Sequence, residues 1–90
     1  MITIKPFQIH IKDTQELEIN RDFKIIKVGT RYESAYLWAV VDTDSEIIKL
    51  PLRVVEDRAE IPPALNLVYI GTVMTSEERF VFHVFIDKTK

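Results

Sequence analysis

The stretch that decides the fold is Arg79-Phe80-Val81-Phe82-His83-Val84-Phe85-Ile86. Nearly every position in it carries an aromatic or branched apolar side chain. Because the side chains of a strand alternate between its two faces, both faces of this segment are apolar, apart from one imidazole. Such a strand must be covered on both sides, and we expect the rest of the chain to cover it.

The remaining chain is a series of short apolar segments separated by polar turns. The predicted strands, including the last one, are 2–11, 17–19, 23–30, 35–41, 46–55, 67–74 and 79–86. The predicted turns and loops are 13–16, 20–22, 31–34, 42–45, 56–60 and 75–78, and a frayed polar tail is predicted at 87–90. No window shows a sustained apolar period of 3.6, and 61–66 allows a single helical turn at most. We therefore predict one all-β domain over residues 1–90, a small antiparallel sandwich or partly open barrel of six to seven short strands.

Proline and glycine positions refine this prediction. Pro6 and Pro51 interrupt the first and fifth strands, and each predicts a bulge or an edge position because proline cannot donate to a ladder. Gly29 near the end of the third strand predicts a bulge or a twist into the next turn.

Composition excludes several classes of function. The formal net charge is −2 and the pI is about 5.6, which argues against general nucleic-acid binding. The chain has no cysteine, so disulfides and thiol chemistry are excluded. No apolar run approaches the roughly 20 residues that span a bilayer, and the N-terminus lacks the apolar core of a signal peptide. A soluble cytoplasmic protein that does not bind membranes is expected.

Two aromatic side chains have both a structural and a binding interpretation. His83 is a candidate ligand-binding donor, but no polar residue adjoins it in sequence, so a core histidine is favoured. Trp38 is the only tryptophan and is a candidate for stacking on a base. A core position on the Tyr36-Trp38-Val40 face is favoured because tryptophan is usually mostly buried.

The acidic segment Asp42-Thr43-Asp44-Ser45 is interpreted as a turn. Paired carboxylates are able to bind a divalent ion or act in acid–base catalysis. The segment lacks the central glycine and the downstream glutamate of a calcium loop, and two histidines without cysteine do not make a zinc set. We therefore predict no metal and no cofactor.

Cations and aromatic residues on strands and loops form a mixed set. Arginine offers planar, bidentate donors to phosphate or carboxylate, so two converging members would clamp an anionic or nucleotide-like ligand. Each taken singly is interpreted as solvated surface. Together with the two side chains above, the predicted ligand-binding residues are Arg31, Tyr32, Trp38, Arg53, Arg58, Tyr69 and His83.

Three segments resemble a family of small, uncharacterised proteins found mainly in bacteriophages and prophages. They are Leu37-Trp38-Ala39-Val40-Val41-Asp42, Tyr69-Ile70-Gly71-Thr72-Val73 and Phe82-His83-Val84-Phe85, and 23–28 also fits the pattern. The resemblance covers roughly residues 23 to 86. One departure is the turn Glu56-Asp57-Arg58-Ala59, where relatives often have a glycine-rich turn, and this weakens anion binding by bare amides there. The resemblance implies a phage origin and an accessory role directed at host machinery, including immune systems.

These observations lead to three hypotheses. The first is a non-enzymatic, homo-oligomeric binding protein that sequesters a nucleotide-like signal molecule or blocks a host defence protein. The second is a structural or virion-associated module that pairs through a sheet edge near Pro51. The third is a small enzyme that uses His83 with Asp42. It is the least favoured hypothesis because the sequence has no nucleophile elbow, P-loop or metal set.

Overall fold

Seven antiparallel strands form two sheets in the computed structural model, which describes residues 1–75 and 80–89. The strands are β1 (Ile2–Ile9), β2 (Thr14–Asn20), β3 (Phe23–Arg31), β4 (Ser34–Asp42), β5 (Ile47–Glu56), β6 (Leu67–Thr75) and β7 (Phe80–Asp87). One sheet has the order β1-β4-β3, the other has the order β2-β5-β7-β6, and they do not close into a barrel. This confirms the predicted all-β sandwich. The described ranges contain no helix, so none there is long and apolar enough to cross a membrane.

The core lies between the two sheets and is built from alternate positions of their strands. Burying such side chains stabilises the fold by about 1.5–3 kcal/mol each. The fully or almost fully buried apolar residues are Ile9, Ile19, Ala35, Leu37, Ala39, Val41, Leu50, Leu52, Val54, Val73 and Val84. Val84 belongs to the apolar segment 80–86, and β7, which contains this segment, is flanked by β5 and β6 inside its sheet.

The two sheets meet most closely where β3 approaches β6. A Cβ atom built on Gly71 would lie 2.4 Å from Cβ of Val28, a distance that atoms do not tolerate. Glycine is therefore required at this point because the backbone of β6 passes directly over a β3 side chain. The register of β6 against β7 also shifts between Tyr69 and Gly71, which bends β6 at this joint.

Hydrogen bonds made by Asn20 and Ser45 hold together two of the connections that cross between the sheets. Among the described residues, Asn20 is the one polar residue that is buried. Its Nδ2 donates to the carbonyl oxygen of Ser45 at 3.2 Å. The hydroxyl of Ser45 accepts from the backbone N–H of Asp22 at 3.1 Å. These bonds join the β2–β3 and β4–β5 connections, so they fix two of the three places where the chain changes sheets.

The strand boundaries depart from the predicted ones at 13–16. That segment was predicted as a turn, but Thr14 to Glu16 belong to β2 and pair with β5. The prediction was wrong because the polar side chains of Thr14 and Glu16 lie on the outer face of the sheet, where strands tolerate them. The bulge predicted at Gly29 is also misplaced, since the register of β3 shifts between Ile25 and Lys27.

The two prolines that lie within strands, Pro6 and Pro51, each pair with a neighbouring strand on one side only. Pro6 lies on β1, which is the edge of its sheet, as predicted. Pro51 lies on β5, which is inside its sheet, but the pairing of β5 with β7 begins only at Leu52. Pro51 is therefore paired on one side alone, with Glu16 of β2.

The end of the described chain is anchored rather than frayed. The hydroxyl of Thr89 accepts from the backbone N–H of Asn66 at 2.6 Å, and the N–H of Lys88 donates to the carbonyl oxygen of Asn66 at 2.8 Å. The predicted fraying of the tail is therefore wrong for 87–89. Arg79 and the 76–78 part of the predicted hairpin lie outside the described residues, as does Lys90.

Candidate ligand-binding face

The aromatic side chains of β4 point away from the core. Ala35, Leu37, Ala39 and Val41 are buried, whereas the alternate residues of β4 are only half-buried. The predicted core position of the Tyr36-Trp38-Val40 face is therefore wrong. Both faces of β4 are apolar, so the alternation of side chains alone does not predict which face points to the core. The face with the two alanines points inward because their small side chains leave room for the opposite sheet.

A bulge in β3 sets cations beside these aromatic residues. Lys24 is opposite Val40, and Arg31 is opposite Ser34, so both lie on the outer face. Without the extra residue at the register shift, Ile26 would stand opposite Trp38 and Lys27 would point to the core. Because the shift lies between Ile25 and Lys27, it is Lys27 that lies opposite Trp38, with its Nζ 5.8 Å from the ring centroid.

The edge strand β1 completes this surface with apolar side chains. Ile2, Ile4 and Pro6 lie opposite Asp42, Val40 and Trp38, respectively. Ile2 is 66% exposed and Ile4 is 57% exposed. We call the surface the aromatic face, and its residues are Ile2, Ile4, Pro6, Lys24, Lys27, Arg31, Tyr36, Trp38 and Val40.

The hairpin between β3 and β4 extends the aromatic face at one end. Tyr32 and Glu33 have φ angles of 51° and 63°, a left-handed conformation that suits a tight two-residue hairpin but is costly for residues with side chains. Tyr32 is 84% exposed, and the guanidinium of Arg31 lies 5.1 Å from its ring centroid. An arginine and a tyrosine are thus presented together at the tip, next to the row of cations.

The carboxylate of Asp42, at the other end of the face, shares the N-terminal amine with Asp44. The N-terminal amine of Met1 lies 3.5 Å from Oδ1 of Asp42 and 2.9 Å from Oδ2 of Asp44. The pKa of Asp42 is lowered, first by the backbone N–H of Asp44 and then by the amine, and the pKa of the Met1 amine is raised, chiefly by Asp44. The segment is a turn, as predicted, and Oδ1 of Asp42 accepts from the N–H of Asp44 at 2.9 Å.

A shallow groove lies where the aromatic face meets this turn. Its volume is about 460 Å³, and its lining residues are Ile2, Arg21, Asp22, Phe23, Lys24, Val40, Val41 and Asp42. The groove joins apolar side chains to two cations and two carboxylates, so it offers an apolar surface without a clear preference for an anion.

The other predicted site residues lie on the outer face of the four-stranded sheet. Arg53 and Tyr69 stand on either side of Phe85 in one row across three strands, and the ring centroids of Tyr69 and Phe85 are 5.8 Å apart. The side chain of Arg53 is 23% exposed, and its Nε lies 3.6 Å from Oδ2 of Asp87. The pKa of Asp87 is lowered, first by hydrogen bonds from Thr89 and further by Arg53.

A cleft of about 360 Å³ lies beside Arg53, under the segment 59–62 that leads from β5 back to β6. Asp13, Glu56 and Glu60 line it as well, so three carboxylates surround one arginine that already faces Asp87. This electrostatic balance disfavours an anionic ligand here. The predicted anion clamp through Arg53 is therefore poorly supported by the geometry.

His83 is not a core residue, and its partner is not Asp42. Its side chain is 31% exposed on the outer face of β7. Nδ1 lies 2.9 Å from the hydroxyl of Thr72, and Nε2 lies 3.1 Å from Oδ1 of Asp57. Both polar partners come from other strands and loops, which is why the neighbours of His83 in sequence gave no sign of them.

The structure thus divides the predicted set instead of bringing it together. Arg31, Tyr32 and Trp38 share the aromatic face, whereas Tyr69, Arg53 and His83 share the opposite outer surface. Arg58 is exposed in the turn after β5, with a φ of 69°. No group of three His, Asp or Glu side chains among the described residues is arranged to hold a metal ion.

A family model matches residues 1–90, the whole chain. The chain belongs to the family DUF7352. That family is described as a domain of unknown function. No curated protein and no solved structure was found to match the chain. Membership in DUF7352 agrees with the predicted resemblance only in that the family is uncharacterised; the match covers the full length, and it shows no phage origin.

Sequence reasoning missed Lys24 and Lys27 in this DUF7352 chain. Residues three apart lie on opposite faces of a regular strand, and only the bulge between Ile25 and Lys27 brings Lys24 and Lys27 onto one face, so the sequence gave no signal for this pair. It also missed Asp57 and Thr72, which only the tertiary structure brings to His83.

Proposed function

We propose that this protein is a binding protein that holds, without chemical change, a small anionic molecule with a planar, base-like ring on its aromatic face. The observation that supports this is the outward position of Tyr36 and Trp38 beside the cations of β3, Lys24, Lys27 and Arg31. A nucleotide combines the two chemical parts that this face would recognise.

The aromatic rings supply the binding surface for the base. The ring centroids of Tyr36 and Trp38 are 6.0 Å apart with an interplanar angle of 35°, so the two rings form one broad platform. Stacking of a base on such a ring is worth about 1–3 kcal/mol. Lys27 lies over the Trp38 ring in a cation–π contact, and its ammonium would move to a phosphate when a base takes its place on the ring.

The cations supply the recognition of the anionic part. Arg31 at the hairpin offers bidentate hydrogen bonds to a phosphate, and the two lysines add positive charge along the same strand. Asp42, a carboxylate on this face, lies beside the Met1 amine, which offsets part of the negative charge of Asp42 and Asp44. The overall charge of −2 is thus compatible with a local anion site, while general nucleic-acid binding stays unexpected.

The resemblance to phage proteins gives this binding a biological role within the same proposal. A phage-encoded chain in the host cytoplasm that sequesters a signalling nucleotide would act as a counter-defence protein. A homo-oligomer would multiply the sites available to such a protein.

The test is a thermal-shift and calorimetric titration with a panel of signalling nucleotides. A ligand at 100 times its dissociation constant stabilises by about 2.7 kcal/mol, which corresponds to a rise in melting temperature of about 10–20 °C for a domain of this size. Trp38→Leu and Lys27→Ala are expected to remove the shift, and Lys49→Ala on the other sheet is expected to leave it unchanged. A flat response over the whole panel would count against the proposal.

A second candidate is the blocking of a host protein through the same face. It is favoured by the large exposure of Ile2 and Ile4, since contiguous exposed apolar residues mark protein interfaces. Pairing through the β1 edge itself is disfavoured by Pro6 and by the exposed Lys5, two devices that protect edge strands. A double change of Ile2→Ser with Ile4→Ser distinguishes the two functions by degree. It should abolish capture of a protein partner, whereas nucleotide binding, which depends mainly on Trp38 and Lys27, should be weakened but retained.

A further inference from the structure

A continuous chain of hydrogen bonds crosses the outer face of the four-stranded sheet, away from the aromatic face. It begins at the Tyr69 hydroxyl, which lies 2.6 Å from Oγ1 of Thr72. It continues from Oγ1 of Thr72 to Nδ1 of His83 at 2.9 Å, and from Nε2 of His83 to Oδ1 of Asp57 at 3.1 Å. Four side chains from β6, β7 and the turn after β5 are thereby linked in a fixed order.

One assignment of protons satisfies every bond in this chain. The Tyr69 hydroxyl donates to Thr72, the Thr72 hydroxyl donates to Nδ1 of His83, and Nε2–H of His83 donates to the Asp57 carboxylate. A hydroxyl that donates to an imidazole, which in turn donates to a carboxylate, is the arrangement that activates a nucleophile. The pairing of β6 with β7 holds this arrangement rigidly, because Thr72 is the cross-strand partner of His83 and β7 lies inside the sheet.

We propose that these residues form an acyl-transfer site in which Thr72 is the nucleophile and His83 is the general base. Oγ1 of Thr72 attacks the carbonyl carbon of an ester, and its proton passes to Nδ1 of His83. The Tyr69 hydroxyl turns to donate to the oxyanion. When the ester bond breaks, the alcohol leaves with the proton from His83, and Thr72 carries the acyl group. Water then attacks the acyl-threonine, His83 takes the proton of that water, and the acid is released as Thr72 recovers its proton.

Asp57 acts as a positioning residue that fixes the tautomer of His83 and stabilises the imidazolium. Its side chain is 55% exposed, and its backbone N–H donates to the carbonyl oxygen of Val81 at 2.9 Å. That backbone bond ties the start of the turn to β7, so the carboxylate reaches the imidazole from a fixed point.

The surroundings define the class of substrate as a small, neutral ester with an apolar acyl group. Val55 is opposite His83 on β5, and Met74 is opposite Val81 one position further along the same outer face. Met74 is 50% exposed and available for contact. The carboxylate of Asp57 disfavours an anionic ester, which separates this site chemically from the proposed nucleotide site.

The test is acetylation by p-nitrophenyl acetate, followed as release of p-nitrophenolate and by peptide mapping of the acetyl group. The wild-type protein is expected to carry the acetyl group on Thr72. Thr72→Val and His83→Gln are each expected to lower the rate by about 100-fold or more, whereas Thr72→Ser retains it. Thr30→Val on β3 is the matched control and leaves the rate unchanged. Asp57→Asn is expected to displace the pH–rate profile as well as to lower the rate.

The melting temperature of each variant is measured beside its rate, and Tyr69→Phe provides a second change that removes only one hydroxyl. A reduced rate in this folded variant supports the assignment of the oxyanion donor. Equal rates for the wild-type protein and Thr72→Val would overturn the proposal, as would acetylation confined to lysines or no acetylation at all.

Discussion

Replacing Gly71 by alanine tests the joint between the two sheets. The new methyl carbon would lie 2.4 Å from Cβ of Val28, and 2.8 Å and 3.1 Å from its two methyl groups. Rotation of the valine side chain moves the methyl groups but not Cβ, so only a backbone shift relieves the closest contact. Overpacking of this kind costs about 1–3 kcal/mol, and we expect the upper half of that range.

Gly29→Ala is the matched control because it makes the same chemical change on a strand of the other sheet. Its Cβ would meet nothing closer than Cε of Lys27 at 3.4 Å. An alanine there is expected to be neutral or to stabilise by about 0.5–1 kcal/mol, since glycine weakens a strand interior. In urea unfolding with a slope of about 1–1.5 kcal/mol/M, Gly71→Ala should lower the midpoint by about 2 M and Gly29→Ala should not lower it.

A double-mutant cycle assigns the effect to the contact itself. Val28→Ala keeps the Cβ and should not rescue Gly71→Ala, whereas Val28→Gly removes it and should restore about 2 kcal/mol relative to additivity. Equal stabilities for Gly71→Ala and Gly29→Ala, or strict additivity with Val28→Gly, would refute the close approach of β3 and β6.

Three other predictions concern the core, the hairpin and the response to acid. Leu37→Ala is expected to cost about 2–5 kcal/mol in urea unfolding, and Trp38→Leu less than half as much, because only the first side chain is fully buried; equal losses would contradict the orientation of β4. Tyr32→Asn combined with Glu33→Gly is expected to raise the free energy of unfolding by about 1 kcal/mol, because both positions are left-handed; a lower melting temperature would contradict this. The pKa of Asp87 is lowered in the folded protein, so the stability that its carboxylate contributes is present above its ordinary pKa of 3.8 and is lost as the pH falls through the lower folded value. The urea midpoint of the wild-type protein should therefore fall between about pH 6 and about pH 3, and Asp87→Asn should make this fall smaller. An equal fall in the variant and the wild-type protein would contradict the argument.

The fold class was predictable from the sequence because strand periodicity and the short connections left few alternatives. The segment 80–86 is interior to its sheet, as its two apolar faces required. The division into sheets of three and four strands was not predictable, since it depends on three crossings between the sheets, two of which are fixed by the buried Asn20 and by the polar bonds of Ser45. Those bonds join residues that are distant in sequence.

The orientation of β4 shows why the candidate site was only partly predictable. Tyr36, Trp38 and Val40 looked more suitable for a core than Ala35, Leu37 and Ala39, because side-chain size and burial usually go together. Here the smaller residues face inward, since packing between sheets depends on the space that the opposite sheet leaves. Trp38 and Arg31, two of the predicted ligand-binding residues, lie together on the aromatic face, and whether they bind a ligand stays a prediction.

His83 shows a different limit of sequence reasoning. Its neighbours Phe82 and Val84 indicated an apolar environment, and that is accurate for the inner face of β7 alone. Its polar partners are Asp57, 26 residues earlier, and Thr72, 11 residues earlier, and no local pattern links the three.

The central claim is that the aromatic face binds a base-bearing anion, and titration of the tryptophan fluorescence tests it most directly. Trp38 is the only tryptophan in the chain, so its emission reports on this face without interference. We predict that a signalling nucleotide quenches the emission to saturation, that added salt weakens the binding, and that Lys27→Ala lowers the affinity. Emission that no nucleotide in the panel changes, while the protein stays folded, would contradict the claim.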